Sequence, residues 1–132
     1  MAFLLDTNAC VDALKGHQQV VARMEAVSPD ECAVSAVTAF ELLNGARRSA
    51  QPEKETKKVE KFLAVVTVMP FDAGAAARAA KIRFDLERAG QKIGPYDLLI
   101  AAQALEAGRT LVTNNTREFG WVEELRLEDW RD

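Results

Sequence analysis

The chain has 132 residues, of which 48% are hydrophobic and 28% charged, with a formal net charge of −3 and two cysteines. This composition is typical of one globular domain and excludes a disordered chain. No apolar run approaches the roughly 20 residues of a membrane-spanning helix, and Asp6 interrupts the first apolar stretch too early for a signal peptide. Two cysteines without metal or disulfide spacing indicate a reducing, cytoplasmic setting.

The N-terminal half alternates short apolar runs with helical patterns. An apolar strand at 2–5 precedes a helix near 8–15, which ends at Gly16, and a second helical pattern covers 17–27. A turn at 28–30 leads into a second apolar strand at 32–35. The next helix, TAFELLNGARR, begins at Ser35 or Thr38, since either residue can cap it.

The C-terminal half continues the alternation. Pro52 opens an amphipathic helix over about 53–66, and Asp72 is placed to cap an alanine-rich helix that ends at Gly90. A third strong helix covers 96–107 and is closed by Gly108. The remaining predicted elements are strands at 67–71 and 110–113, and a tail with Trp121, Leu125, Leu127 and Trp130 that covers a sheet edge. Strands alternating with helices predict a single α/β domain with three α/β/α layers and a short, mainly parallel sheet.

Charge is unevenly distributed along the chain. Residues 47–61 carry six basic and three acidic side chains, residues 78–92 carry five and two, and residues 117–132 carry three and six. The basic stretches, including Arg47 and Arg83, fit a polyanion bound on one face, although most such runs are solvated surface. The two interpretations stay open at this point.

Several acids are predicted to meet at one edge of the sheet. Asp6 ends the first strand, Glu41 lies early in the helix after the second, Asp97 opens a helix after a Gly-Pro turn, and Glu118 follows the last core strand. Asn114 and Asn115 are expected at the same edge, where ligands of parallel sheets bind.

Each acid taken singly has a structural explanation. Asp6 and Asp97 are suitable helix-start residues, and Glu41 could face solvent between core positions. Together, however, they would repel one another unless a cation lay between them. Oxygen donors without histidine or cysteine suit Mg²⁺ or Mn²⁺, which favours phosphodiester chemistry.

Four motifs together resemble the PIN-domain ribonucleases, and more closely the VapC toxins of bacterial toxin–antitoxin pairs. They are LLDTN at 4–8, SAVTAFELLNGA at 35–46, GPYDLLIAAQAL at 94–105 and LVTNNTREF at 111–119. The resemblance implies that residues 1–132 form one PIN domain. It also implies a site-specific, Mg²⁺-dependent (or Mn²⁺-dependent) endoribonuclease toxin that cuts RNA, often tRNA, and so inhibits translation and growth.

The resemblance also implies roles for individual residues. Asp6, Glu41 and Asp97 match the family's acidic triad and are the implied metal ligands. Glu118 is favoured as a fourth catalytic acid, because Asn115 stands where many PIN domains have aspartate. The polar residues implied to hold carboxylates, water or substrate are Thr7, Asn8, Thr113, Asn114 and Asn115, with Thr7 and Asn8 orienting Asp6.

The implied mechanism is in-line attack by a metal-activated water on an RNA phosphodiester. Such a reaction leaves a 5′-phosphate and a 3′-hydroxyl, because water and not the ribose 2′-OH is the nucleophile. The implied partners are a small antitoxin encoded alongside, whose tail blocks the acidic pocket, and a second copy of the chain in a homodimer. No membrane partner is expected.

Two other functions share part of this sequence pattern. A haloacid-dehalogenase-like phosphatase also begins with a strand ending in aspartate, but it needs a second acid two residues later, where this chain has Asn8. A non-catalytic Mg²⁺- or phosphate-binding module, such as a receiver domain, usually has paired acids after its first strand and a lysine after its last. Neither LLDTN nor LVTNN supplies them.

Overall fold

Five short strands form one parallel sheet in the computed structural model, which describes residues 2–132. The spatial order is β3-β2-β1-β4-β5, and all four pairings are parallel. The strands are β1 (Phe3–Leu5), β2 (Cys32–Ser35), β3 (Thr67–Met69), β4 (Thr110–Val112) and β5 (Leu127–Glu128). The four predicted strands are confirmed, and the tail covers the sheet edge as a fifth strand beside β4.

Within residues 2–132, seven α helices surround the sheet. They are α1 (Thr7–Leu14), α2 (Gln18–Ala26), α3 (Ala36–Arg47), α4 (Pro52–Val65), α5 (Ala73–Arg88), α6 (Pro95–Ala107) and α7 (Thr116–Phe119). Ser35, not Thr38, caps α3, and its hydroxyl accepts a hydrogen bond from the Val37 amide at 2.9 Å. Asp72 caps α5 as predicted, accepting from the Ala75 amide at 2.9 Å. Gly108 ends α6 at φ 66°, a left-handed conformation that favours glycine.

The strands separate two hydrophobic cores, because successive side chains of a strand point to opposite faces of a sheet. Leu4, Ala33 and Leu111 lie in one core together with residues of α5 and α6. Their neighbours, among them Leu5 and Val34, lie in the other core with residues of α1 to α4. Helices therefore cover both faces, which confirms the predicted α/β/α layering.

The C-terminal segment is anchored by Trp130, which is 1% exposed. Its ring packs edge-on against Phe3 with centroids 5.1 Å apart, and its indole N–H donates to Glu128 Oε1 at 3.0 Å. This packing holds β5 against β4. Within residues 2–132, no helix has the length and hydrophobicity needed to traverse a bilayer.

Candidate active site

The candidate site lies at the carboxyl ends of β1 and β4. These two central strands are neighbours, and the Asp6 amide donates to the Val112 carbonyl at 3.0 Å. The chain leaves β1 towards β2 on one side and leaves β4 towards β5 on the other. Such a reversal of strand order opens a crevice in parallel sheets, where ligands bind.

Asp6 is both a helix cap and a buried acid in this crevice. Its Oδ1 accepts a hydrogen bond from the Ala9 amide at 2.8 Å, and the side chain is almost inaccessible, since the residue is 2% exposed. Desolvation by burial raises the pKa of Asp6 to about 6, and hydrogen bonds from Thr113 and Ala9 oppose part of that rise. The charge of Asp97 adds to it.

Asp97 connects the acids electrostatically. It lies in the first turn of α6, three residues after the cap Gly94, and is half-buried. Its pKa is raised first by desolvation and then by the charges of Glu41 and Glu118. Asp97 therefore interacts with each of the other three predicted acids. In the part of the chain that the structure describes, none of the four forms a salt bridge.

Glu41 is held by a chain of two hydroxyl groups. Thr7 Oγ1 donates to Glu41 Oε1 at 2.6 Å and lies 3.1 Å from Thr38 Oγ1. Thr38 is fully buried and precedes Glu41 by three residues, so both face the same side of α3. The prediction that Thr7 orients Asp6 is corrected here, because its hydroxyl is used by Glu41.

Thr113, which was also predicted to hold a carboxylate, is the residue of that group that acts on Asp6. Its hydroxyl accepts a hydrogen bond from the Asn115 amide at 2.9 Å and also bonds to the Asp6 carboxyl group. Asn8 is exposed, and its side chain has no hydrogen-bond partner within residues 2–132. Asn8 therefore does not orient Asp6 in this structure.

Glu118 and the two asparagines lie after β4. Glu118 is half-buried on α7, and its charge acts on Asp97. Asn115 is half-buried at the start of α7, whereas Asn114 is exposed. The electrostatic link to Asp97 supports Glu118 as the fourth acid, and no comparable contact joins either asparagine side chain to the acids across the described residues.

The donor set fits a hard divalent cation held loosely. The acids present only oxygen donors, and Asp6 and Asp97 are desolvated like charges that a cation would stabilise. Across residues 2–132, no three His, Cys, Asp or Glu side chains are gathered closely enough to hold one metal ion. Asp6, Glu41 and Asp97 thus do not form a closed cage, but Mg²⁺ commonly keeps several waters and uses only one or two carboxylates.

A different concavity lies between α5 and the C-terminal segment. This cavity of about 400 Å³ is lined by residues such as Arg78, Lys81 and Trp121, and by none of the four acids. Both of its cations are already paired, since Arg78 contacts Glu106 and Lys81 contacts Asp85. The chemistry therefore assigns the site to the acidic edge and not to this cavity.

Comparison with known proteins identifies this architecture. A PIN domain profile matches residues 3–124. The chain therefore belongs to the PIN-domain family.

Its relatives within that family are VapC proteins. The chain is 39% identical over 130 residues to a tRNA(fMet)-specific endonuclease VapC of Shigella flexneri and 36% identical to the protein of the same name from Salmonella typhimurium. Both alignments cover 98% of each chain. Among solved structures, DNA-bound VapBC from Salmonella typhimurium matches with a TM-score of 0.94 at 37% identity, covering 98% of each chain. VapBC2 from Rickettsia felis, bound to a promoter DNA fragment, matches with a TM-score of 0.92 at 34% identity, covering 98% of this chain and 99% of that one.

Proposed function

We propose that this protein is a divalent-metal-dependent endoribonuclease toxin whose substrate is a tRNA. The observation that carries the proposal is the set of coupled carboxylates at the switch between β1 and β4, in a chain aligned over almost its full length with VapC endonucleases. Relatives named for tRNA(fMet) make that tRNA the first substrate to test. Mg²⁺ is the proposed metal and Mn²⁺ the alternative.

Each of the four acids has its own proposed role. Asp6 and Asp97 are the proposed metal ligands, since both are desolvated and couple to each other. Thr7 occupies Oε1 of Glu41, which leaves Oε2 to accept a hydrogen bond from the attacking water. Glu118 completes the acidic edge through its interaction with Asp97.

A bound Mg²⁺ would stabilise the charge that develops on the phosphodiester and lower the pKa of the attacking water. The protein residues hold the catalytic carboxylates in position. Burial of Asp6 and the Thr113 hydrogen bond fix one carboxylate, while the Thr7–Thr38 pair fixes Glu41. Water attack then leaves a 5′-phosphate and a 3′-hydroxyl, as the sequence predicts.

The proposed partners follow from the solved relatives. These are VapBC complexes, so we propose a small antitoxin that neutralises this chain, and a homodimer of the chain within that complex. The uncompensated acids at the site are complementary to a basic antitoxin segment. The proposed place of action is the cytoplasm, where tRNA is present.

Cleavage of transcribed tRNA(fMet) by the purified chain tests the proposal. Wild-type protein should cut it at one or a few positions with Mg²⁺, and EDTA or Asp97→Asn should abolish cutting. Asp30→Asn, which removes an exposed carboxylate before the amino end of β2, at the opposite edge of the sheet from the four acids, is the matched control and should cut normally. A folded, antitoxin-free wild-type protein that leaves tRNA intact, while still binding Mg²⁺ at Asp97, would instead support a non-catalytic binding module.

A further inference from the structure

Two aromatic side chains are exposed together on neighbouring helices. Phe40 on α3 is 50% exposed and Tyr96 at the start of α6 is 45% exposed. Their rings contact edge to face, with centroids 5.7 Å apart and planes at 64°. Burial of large apolar rings is favourable, so a pair left in solvent indicates a surface that something else covers.

The pair lies directly beside the acids. Phe40 immediately precedes Glu41, and Tyr96 immediately precedes Asp97, so the Cα atom of each aromatic residue is about 3.8 Å from the Cα atom of an acidic residue. Glu41 and Asp97 are themselves close enough to interact electrostatically. Both rings therefore belong to the rim around the candidate site.

Electrostatic repulsion opposes the binding of an RNA substrate at this rim. The proposed Mg²⁺ would neutralise Asp6 and Asp97, but Glu41 and Glu118 have no salt-bridge partner in residues 2–132 and still repel the phosphates next to the cleavage site. Binding there needs contacts that do not depend on phosphate charge, and aromatic rings provide them because every base has a face on which they stack.

From this placement we infer that Phe40 and Tyr96 form a stacking platform for an unpaired RNA base next to the scissile phosphate. The inference rests on the proposed ribonuclease function and specifies how that site holds its substrate. It requires a single-stranded substrate segment, such as a loop, because bases inside a duplex are not available for stacking on a side chain. The platform is a positioning and affinity element and takes no part in bond cleavage.

Single-turnover cleavage of transcribed tRNA(fMet) in Mg²⁺, at increasing protein concentration, tests the platform. Replacing both rings, in Phe40→Leu with Tyr96→Leu, keeps apolar volume but removes the aromatic faces. The half-saturating protein concentration should rise roughly 5- to 150-fold, the range for one stacked base. Phe40→Tyr with Tyr96→Phe keeps both faces and should stay near wild type.

Three further measurements separate stacking from other roles. Phe84→Leu removes an equally exposed ring on α5, 59% exposed, and should leave cleavage unchanged. The slope of log affinity against log salt should be the same for wild type and the double leucine variant, because no phosphate contact is lost. Urea midpoints and mass in solution should also be unchanged.

The possible results are distinguishable. If wild type cuts the tRNA and the double leucine variant matches it, the platform is refuted and the ribonuclease proposal stands. If the variant loses cutting together with a change of mass in solution, the rings form a contact between copies of the chain, which also refutes the platform. If wild type does not cut in any metal, the ribonuclease proposal itself fails.

Discussion

The ionised carboxylate of Asp6 should lower the free energy of unfolding of the metal-free protein, and Asp6→Asn should raise it again. Asp6 is 2% exposed, and the pKa of its carboxyl group is raised from 3.8 to about 6, mainly by desolvation. A difference of about two pKa units, at about 1.4 kcal/mol per unit, corresponds to roughly 3 kcal/mol of destabilisation when the group is ionised. Asparagine can still cap α1 by accepting from the Ala9 amide, so the variant loses the charge and keeps the cap.

The sign of the pH dependence follows from the raised pKa. Above pH 6 both the folded and the unfolded protein have Asp6 ionised, and the folded state carries the full penalty. Between pH 6 and 3.8 the folded state holds a proton that the unfolded state has lost, so the penalty shrinks as the pH falls. The advantage of Asp6→Asn over wild type should therefore be largest near pH 8 and small near pH 4.

Urea unfolding in EDTA from pH 4 to 8 measures this difference directly, because comparing two variants cancels the titrating groups that do not interact with Asp6. Asp30→Asn is the control for removing an exposed carboxylate and should change the free energy of unfolding by no more than about 0.5 kcal/mol. Two protein concentrations check for coupled dissociation. A wild-type protein at least as stable as Asp6→Asn at pH 8 would refute the argument that Asp6 is buried at a cost.

Three other substitutions give clear expectations. Thr7→Val removes the hydroxyl that holds Glu41 and should lower the single-turnover cleavage rate about 10- to 100-fold, whereas Thr7→Ser should preserve it. Glu118→Gln should lower that rate at least about 10-fold if Glu118 is the fourth acid; a normal rate, with a loss in Asn115→Ala, would assign the role to Asn115. Trp130→Ala should destabilise the fold by about 3–5 kcal/mol in urea unfolding, and a loss below 1 kcal/mol would contradict the anchoring role of its ring.

The main elements were predictable because their signals are local. The apolar run at 32–35, the cap Asp72 and the terminal Gly108 each determine a strand or a helix end by short-range chemistry, and the structure confirms all three. The gathering of acids at one edge was predictable too, since parallel strands place their carboxyl ends together. β5 was not predicted as a strand, because its two residues pair only after Trp130 and β4 have positioned the tail.

Side-chain partners were less predictable, because they depend on how elements approach one another. Thr7 was assigned to Asp6, its neighbour in sequence, but the packing of α1 against α3 brings it to Glu41 and Thr38. Thr38 itself carried a weak signal, the spacing of three residues to Glu41 on one helix. The contact between Phe40 and Tyr96 joins residues 56 positions apart (96 − 40) on α3 and α6, and no sequence pattern indicated it.

A map of RNA 5′ ends tests the central claim most directly. Wild-type protein and Asp97→Asn would each be induced briefly in a bacterial host, and RNA ends bearing a 5′-monophosphate would be sequenced. We predict new ends at one or a few positions, in tRNA, with wild type only, because water attack places the phosphate on the 5′ side of the cut. Identical maps for the two proteins, or new fragments ending in 2′,3′-cyclic phosphate, would contradict a metal-dependent ribonuclease site built on Asp6, Glu41 and Asp97.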